Sequence, residues 1–583
     1  MWNHSVPRRA VTAAVMMSIA VLAACSDDLP MGPGTRAATA RPQVLAAAAE
    51  CAGTAGTVMN RVDLYKSTTW TRAGSPYRVK GFVRVQVGRL TMQPGVVVCV
   101  DSGSYVSATG NGLAILGHDT ARVLITASNP AKGWSGLLVH GTGSLTMRNV
   151  RFEYSYVSAH SVMKATIDST VFRSASVTMG GAPGTVLMNS VFDAGGGVDV
   201  GGTGNRVVNV TVRGGGRLSV QGKEAFVRGI RVEGSGSNGA VIYGHARDVE
   251  LRNVWIDGSA STGLLVQKGA TFRAVTPPRI KNGRGYPVIA PLEAIAQLYP
   301  TIASQDSVRG NWRDTIVVTG GTLRARTFWA HPALPLRVDS TIYVDSAAVL
   351  RSGYGARLAF APNTGLVAQN TGRVLLQGSA AAPTVLTGQD PASPWNGVAL
   401  TGSPTAASSL TNVLIEYASR GVDAGESHSV VVDRARFRQV GSAASLGADS
   451  RIFRTRIDST RYAMPALELH ERAIARYVRI RAAVETAIQV NASTVQLSYC
   501  DVAGSGGHAI VVMSAAPVIR GCNLVGNQGL GIALSSTAPA GGGVEQNWWG
   551  DAAGPLGPNG DGVSAGLDYT PWLTSPAATS WTP

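Results

Sequence analysis

Between residues 149 and 256 the hydrophobic and polar positions fall into one short figure that returns six times. A turn residue is followed by an inward, an outward, an inward and an outward position. The turn positions are Asn149, Ser169, Asn189, Asn209, Gly229 and Asn253, at steps of 20, 20, 20, 20 and 24 residues. The first inward positions are Val150, Thr170, Ser190, Val210, Ile230 and Val254, and the second are Phe152, Phe172, Phe192, Val212, Val232 and Ile256. Alternation with a period of two predicts a strand. A strand that returns every twenty-odd residues predicts one coil of a solenoid.

The figure reappears in the second half of the chain. Its first inward positions there are Val413, Ala435, Thr455, Val478, Cys500 and Cys522. The second are Ile415, Phe437, Ile457, Ile480, Val502 and Leu524, at steps of 22, 20, 23, 22 and 22. An internal duplication connects the halves. Trp70, Pro76, Arg78 and Val79 match Trp329, Pro335, Arg337 and Val338 at an offset of 259 residues. The segment from Ile125 (ITASNPAKGWSGL) matches the one from Leu386 (LTGQDPASPWNGV) at 261, and NVRFEY from Asn149 matches NVLIEY from Asn412 at 263. The slow drift is that of single insertions in loops between two copies of one unit.

Glycine-rich turns between short Val, Ile and Phe runs predict an all-β chain. The N-terminus reads as a targeting segment. Arg8 and Arg9 precede an apolar run from Ala10 to Ala20, which is too short to span a bilayer, and Leu22-Ala23-Ala24-Cys25 follows. Here the chain resembles bacterial lipoprotein signal peptides. That resemblance implies cleavage before Cys25, a lipid on its thiol, and, with Ser26 next, an outer-membrane address. Residues 1–24 carry two arginines and no acid, so their loss lowers the formal charge from +16 by two. A basic exported chain suits anionic glycans or lipid head groups, or simply spreads solubility charge over a long surface. No nucleic-acid motif is present.

The chain ends in NWWGDAAGP, Asn547 to Pro555, followed by DGVSAGLDYTPWL. With the coil period and the W-x-G segments, this terminal motif resembles right-handed parallel β-helix repeat proteins of the pectin-lyase-like fold. The resemblance spans most of residues 76–575 and implies two tandem right-handed parallel β-helices. The expected organisation is a signal peptide (1–24), a lipidated cysteine with tether and N-terminal cap (25–75), a first β-helix (76–275), a connector with a short helix (276–312), a second β-helix with a C-terminal cap (313–575) and a tail (576–583). Trp548 and Trp549 are expected to cover the open end of the stack. The fold hosts lyases, hydrolases, epimerases and binding proteins, so it does not choose among them.

Four cysteines follow Cys25. Cys51 and Cys99 lie near the start of the first array, and Cys500 and Cys522 lie in the last coils, so these two pairings are the expected disulfides. For Cys500 and Cys522 the alternative is a stack of two buried thiols.

The candidate chemistry is sparse. Four places beyond each turn the residues run Glu153, Arg173, Asp193, Arg213, Glu233, Asp257, and then Glu416, Arg438, Asp458, Arg481. Alternating signs at a coil spacing of about 4.8 Å predict a structural charge ladder. Two places beyond the turn stand Arg436, Arg456 and Arg479, with Arg434 and Arg454 beside them. Arginines stacked so closely predict either a solvated basic face or a stripe for carboxylate, sulfate or phosphate groups. His140 and His160 fall on adjacent coils without a third metal ligand. Trp134 and Trp395 recur in both copies, as sugar platforms or as loop packing. Polysaccharide lyases of this fold require clustered acids for Ca²⁺, and glycosidases require a carboxylate pair. Neither pattern is present, and no metal or other cofactor is expected. The functional expectation is a monomeric, lipid-anchored, non-catalytic scaffold of the cell envelope that binds or displays acidic polysaccharide. The alternative is a carbohydrate-active enzyme with its site scattered over the turns.

Overall fold

The computed structural model describes residues 50–53, 55–181, 183–300, 306–324, 327–330, 334–403, 406–425, 427–513, 517–535 and 543–579. The signal peptide and Cys25 lie outside them. The described chain is all-β, a parallel β-solenoid of about 21 turns. Each coil contributes three short strands, and every named pairing is parallel to the coil before or after. Wall A holds Ser144–Arg148 on Lys164–Asp168, wall B holds Val150–Glu153 on Val171–Arg173, and wall C holds Tyr156–His160 on Ser176–Gly180.

The repeated figure is the strand of wall B in the first array, and its register is the one read from sequence: Phe152 faces Phe172, which faces Phe192. All twenty-four inward positions of the two arrays are buried, none more than 2% exposed. Phe152, Phe172 and Phe192 form a column with ring centroids 5.8 and 4.5 Å apart. Burying one such ring contributes about 1.5–3 kcal/mol, and stacking adds to that.

Backbone geometry explains the turn residues. Asn149, Ser169, Asn189, Asn209, Gly229 and Asn253 all have positive φ, and so do Asn412, Arg434, Arg454, Tyr477, Tyr499 and Gly521. Each strand of the first array is clamped by a second left-handed residue five places on, at Tyr154, Ser174, Ala194, Gly214, Gly234 and Gly258. Two left-handed corners turn a three- or four-residue strand sharply enough to close a coil in about twenty residues. Asn209 Nδ2 donates to Asn189 Oδ1 (3.4 Å), and Asn189 Nδ2 donates to Asp168 Oδ1 (3.0 Å), so the asparagines form a short amide ladder.

At the corners the backbone ladder breaks, and inward polar side chains repair it. The Thr170 N–H donates to Ser190 Oγ (3.2 Å), and Ser190 Oγ donates to its own Met188 carbonyl (2.7 Å). Thr455 serves Ala435 in the same way. Cys500 and Cys522 occupy this position: the Cys500 N–H donates to Cys522 Sγ at 3.4 Å, and each thiol donates to the carbonyl two residues back. They are buried free thiols, which corrects the expected second disulfide. Their sulfurs are engaged with their own turns, and burial pushes the Cys500 thiol well above its ordinary pKa. Cys51 and Cys99 are joined with a Cα–Cα distance of 5.8 Å.

The boundary between the arrays differs from expectation. The helix Leu292–Leu298 forms inside the connector and buries Leu292, Ala294, Ile295, Ala296 and Leu298. It replaces one strand of wall A, packing between Phe272–Val275 and Gly321–Arg324. Wall C passes the connector without a break: Val288–Ala290 pairs with Ile316–Val318, which pairs with Leu336–Val338. The described strands of the two arrays form one stack. The second copy is turned within it by one wall. Val123–Ala127 and Val150–Glu153 lie on wall B, whereas their counterparts Thr384–Gly388 and Val413–Glu416 lie on wall C. At the start of the stack, Thr57–Leu64 already pairs with Tyr77–Val85, so coiling begins within the expected tether and cap.

If the left-handed corners close the coils, Asn209→Ala should lower stability by about 1–2 kcal/mol while Asn209→Gly costs less. Both variants lose the amide bond to Asn189, so the order of their thermal midpoints isolates the backbone contribution. Equal midpoints would contradict it.

Candidate functional site

The five arginines singled out from sequence gather on wall C of the second copy. Arg436 stacks on Arg456, and Arg456 on Arg479, in register. Arg434 and Arg454 occupy the left-handed corners beside the row. Arg434, Arg436 and Arg456 frame a groove of about 250 Å³ whose floor includes Val413 and Leu414 and whose edge is the loop Ser379–Pro383.

The row does not need an outside anion to relieve its repulsion. Arg436 is ion-paired with Asp458, Arg479 Nε with Asp501 (3.1 Å), and Arg434 and Arg454 both with Asp433 (3.0 and 2.7 Å). These carboxylates come from the chain itself, one per corner or coil. The arginines nevertheless keep much of their surface: the Arg436 side chain is 52% exposed and Arg454 41%. A ligand carboxylate would therefore exchange into existing ion pairs rather than fill a bare cationic site.

The charge ladder is only partly as expected. Arg213 bridges to Glu233 (2.9 Å) and Arg438 to Glu416 (3.3 Å) across neighbouring coils. Glu153 departs from the pattern. It is fully buried, pairs with Arg151 of its own strand at 2.6 Å and accepts from Thr126 at 2.8 Å. The loop carrying Trp134 covers it, and the indole Nε1 donates to the Glu153 carbonyl at 2.9 Å. Trp395 does the same for Glu416 at 2.9 Å. Both tryptophans are buried packing residues and offer no face to a sugar. His140 and His160 lie at the ends of paired strands, and among the described residues no group of three metal-ligating side chains occurs.

Most perturbed carboxyl groups are poor general acids. Hydrogen bonds from Gln86 and Arg84 pull Asp63 below the usual carboxylate range, those from Asn370 and Gln369 lower Asp345, and Arg472 lowers Asp449. Asp199 is the exception. Burial raises it, against the opposing effect of a Gln221 amide that donates to both of its oxygens at 2.9 Å. It sits outward on wall C between Thr178 and Ser219, in a glycine-lined groove of about 380 Å³ that also contains Arg217. Sequence reading missed Asp199 because its raised pKa follows from burial among glycine turns, which no spacing encodes.

No family model matches the chain, and no curated protein matches it. Among solved structures, a point mutant of AlyGC, a PL6 family alginate lyase, is similar over 86% of this chain and 98% of its own, at 11% identity and a TM-score of 0.16. At that score the two backbones do not superimpose, so the strand ladders themselves define the fold.

One buried titratable group gives a pH signature. His428 is fully buried and shares a 2.8 Å hydrogen bond with Ser408 Oγ, which accepts the Val374 N–H at 3.1 Å. Burial lowers its pKa. Below the unfolded value of about 6.5 the unfolded chain binds a proton that the folded chain refuses, so stability falls as the pH drops. His428→Gln should flatten the loss between about pH 7 and 5 by up to ~1.4 kcal/mol per pH unit. Identical slopes in paired urea titrations would show that His428 does not titrate as described.

Proposed function

We propose that this chain is a lipid-anchored scaffold of the cell envelope, without catalytic activity, that binds acidic polysaccharide along wall C. The observation that carries this reading is the in-register row Arg436, Arg456 and Arg479, bordering a groove with a partly apolar floor. Guanidinium forks on a rigid ladder suit planar carboxylates repeated along a polymer. The apolar floor at Leu414 suits the C–H face of a sugar ring. The lipid anchor and outer-membrane address rest on Leu22-Ala23-Ala24-Cys25 and Ser26.

A carbohydrate-active enzyme is the second reading, and Asp199 speaks for it as a carboxyl raised by burial within a groove. Among the described residues no second carboxyl lines that groove, and hydrolysis of a glycosidic bond by the usual routes requires a pair. Arginine pairing favours the scaffold further where it lowers a carboxyl: Arg472 holds Asp449 below the usual carboxylate range, and Gln86, with Arg84, does the same for Asp63.

Replacing Arg436, Arg456 and Arg479 together by Ser should abolish retention on immobilised polygalacturonate, and replacement by Lys should retain part of it by keeping charge without the fork. Unchanged retention of the Ser variant would refute the assignment. Release of unsaturated or reducing ends from polygalacturonate or alginate by the wild type, lost in Asp199→Asn, would establish the enzyme reading instead. For the anchor, Cys25→Ser should eliminate incorporation of labelled palmitate, and persistent labelling would exclude lipidation at that thiol.

A further inference from the structure

The connector coil and the second copy together build a groove that neither copy has alone. It has a volume of about 700 Å³ on wall C, at the junction. Trp312, at one side, is 80% exposed. Tyr286, beside it, accepts hydrogen bonds through its hydroxyl from Arg313 (3.1 Å) and Arg337 (3.2 Å), and both guanidinium groups lie near its ring, at 5.1 and 6.0 Å. Arg357 also lines the groove and is exposed. Acceptors are present as well: Arg337 pairs with Asp339 at 2.8 Å, and Gln389 donates to the same carboxylate at 3.1 Å. In the first copy the counterpart of Arg337 is Arg78. Its guanidinium is occupied by the carbonyls of Cys51 and Ala55, beneath the N-terminal segment. Arg337 is instead held by side chains, Asp339 and Tyr286, and its own side chain is 44% exposed at the groove.

The junction groove and the arginine groove share one outward row. Arg357 faces Val385, Val385 faces Leu414, Leu414 faces Arg436, and Arg436 faces Arg456. The row therefore runs cation, two apolar positions, then cations, with neighbouring coils about 4.8 Å apart. From the coil of Arg337 to that of Arg456 there are five coil-to-coil steps, roughly 24 Å at that spacing.

We infer that the junction groove is a second binding site and that it forms, with the arginine groove, one track for a linear polyuronate lying along wall C. This rests on the acidic-glycan reading above and extends it to a place and a ligand length. Trp312 provides a flat apolar face for a sugar ring, with little to reorganise because it is already exposed. Arg337 and Arg357 hold carboxylates, and Asp339 and Gln389 meet hydroxyl groups. That mixture of donors and acceptors suits a polyhydroxylated anion. It is less suited to a DNA backbone, which lacks the free sugar hydroxyl groups that Asp339 and Gln389 would meet.

The test is affinity measured with three probes: polygalacturonate, dextran as a neutral glucan, and an oligothymidylate. The full-length protein should prefer polygalacturonate to both others. Trp312→Ala, and Arg357→Ala separately, should weaken polygalacturonate binding about tenfold, the scale of one lost stacking or fork contact, with thermal midpoints unchanged because both side chains are exposed. Trigalacturonate, too short to span the track, should bind more weakly than the polymer and lose affinity to either the junction variants or the Arg436/Arg456/Arg479→Ser variant, but not to both. Wild-type affinity for the polymer in both junction variants would overturn the inference, and loss in the arginine-row variant alone would leave the broader reading standing. No binding of polygalacturonate by the wild type would sink both. Tighter binding of oligothymidylate would replace the ligand class.

Discussion

The parallel hydrogen-bond ladder between coils is the constraint on which the rest of this molecule depends. Each strand is only three to five residues long in most coils and cannot satisfy its backbone alone, so every coil is stable only against its neighbours. Parallel strands must then stay in register around three corners, where the chain turns and the ladder is interrupted. Two devices meet that demand. Left-handed residues make the turn, and inward Ser, Thr, Asn or Cys side chains receive the N–H groups left over. The column Thr170, Ser190 and the column Cys500, Cys522, Asn547 are one solution written with different atoms. A buried N–H without such a partner costs about 1–3 kcal/mol, which explains polar side chains at positions that otherwise read as core.

The same constraint governs how charge is distributed. A parallel ladder places the same outward position of successive coils close together, so charged side chains such as Arg213, Arg438 and Arg151 find their partners on a neighbouring coil or on their own strand. The arginine row shows how this works. Its aspartates, Asp433, Asp458 and Asp501, lie at or beside the ends of neighbouring strands, and they relieve its repulsion without a permanent anion. Exposed pairs of this kind contribute little stability each, about 0–1 kcal/mol, and what they leave at the surface is a set of exchangeable forks. A binding role follows more readily from that arrangement than acid–base chemistry does, because the carboxylates are engaged in ion pairs with the guanidinium groups beside them.

The duplication has a consequence that sequence offsets do not contain. The connector replaces one strand with the helix Leu292–Leu298, and the second copy enters the stack turned by one wall. Wall C consequently carries ordinary outward residues such as Thr178 and Ser219 in the first half and the repeated figure with its arginines in the second. Trp312 and Tyr286, which belong to neither copy, are brought beside Arg337 and Arg357 at that transition.

The twenty-residue figure determined a great deal unaided: all-β coils, their register, the inward residues and the special turn positions. Period and polarity are local, and a solenoid is built from local contacts repeated. The half-buried Asp199 with its raised pKa, the thiol state of Cys500 and Cys522, the burial of Glu153 beneath Trp134, and the joining of two arrays into one stack were decided only in three dimensions. Each depends on what lies across a coil or beyond a loop, and the wall on which a strand lands is the sum of all the turns before it. A spacing pattern fixes the contents of a coil, but its orientation against the previous copy is set by how the connector closes.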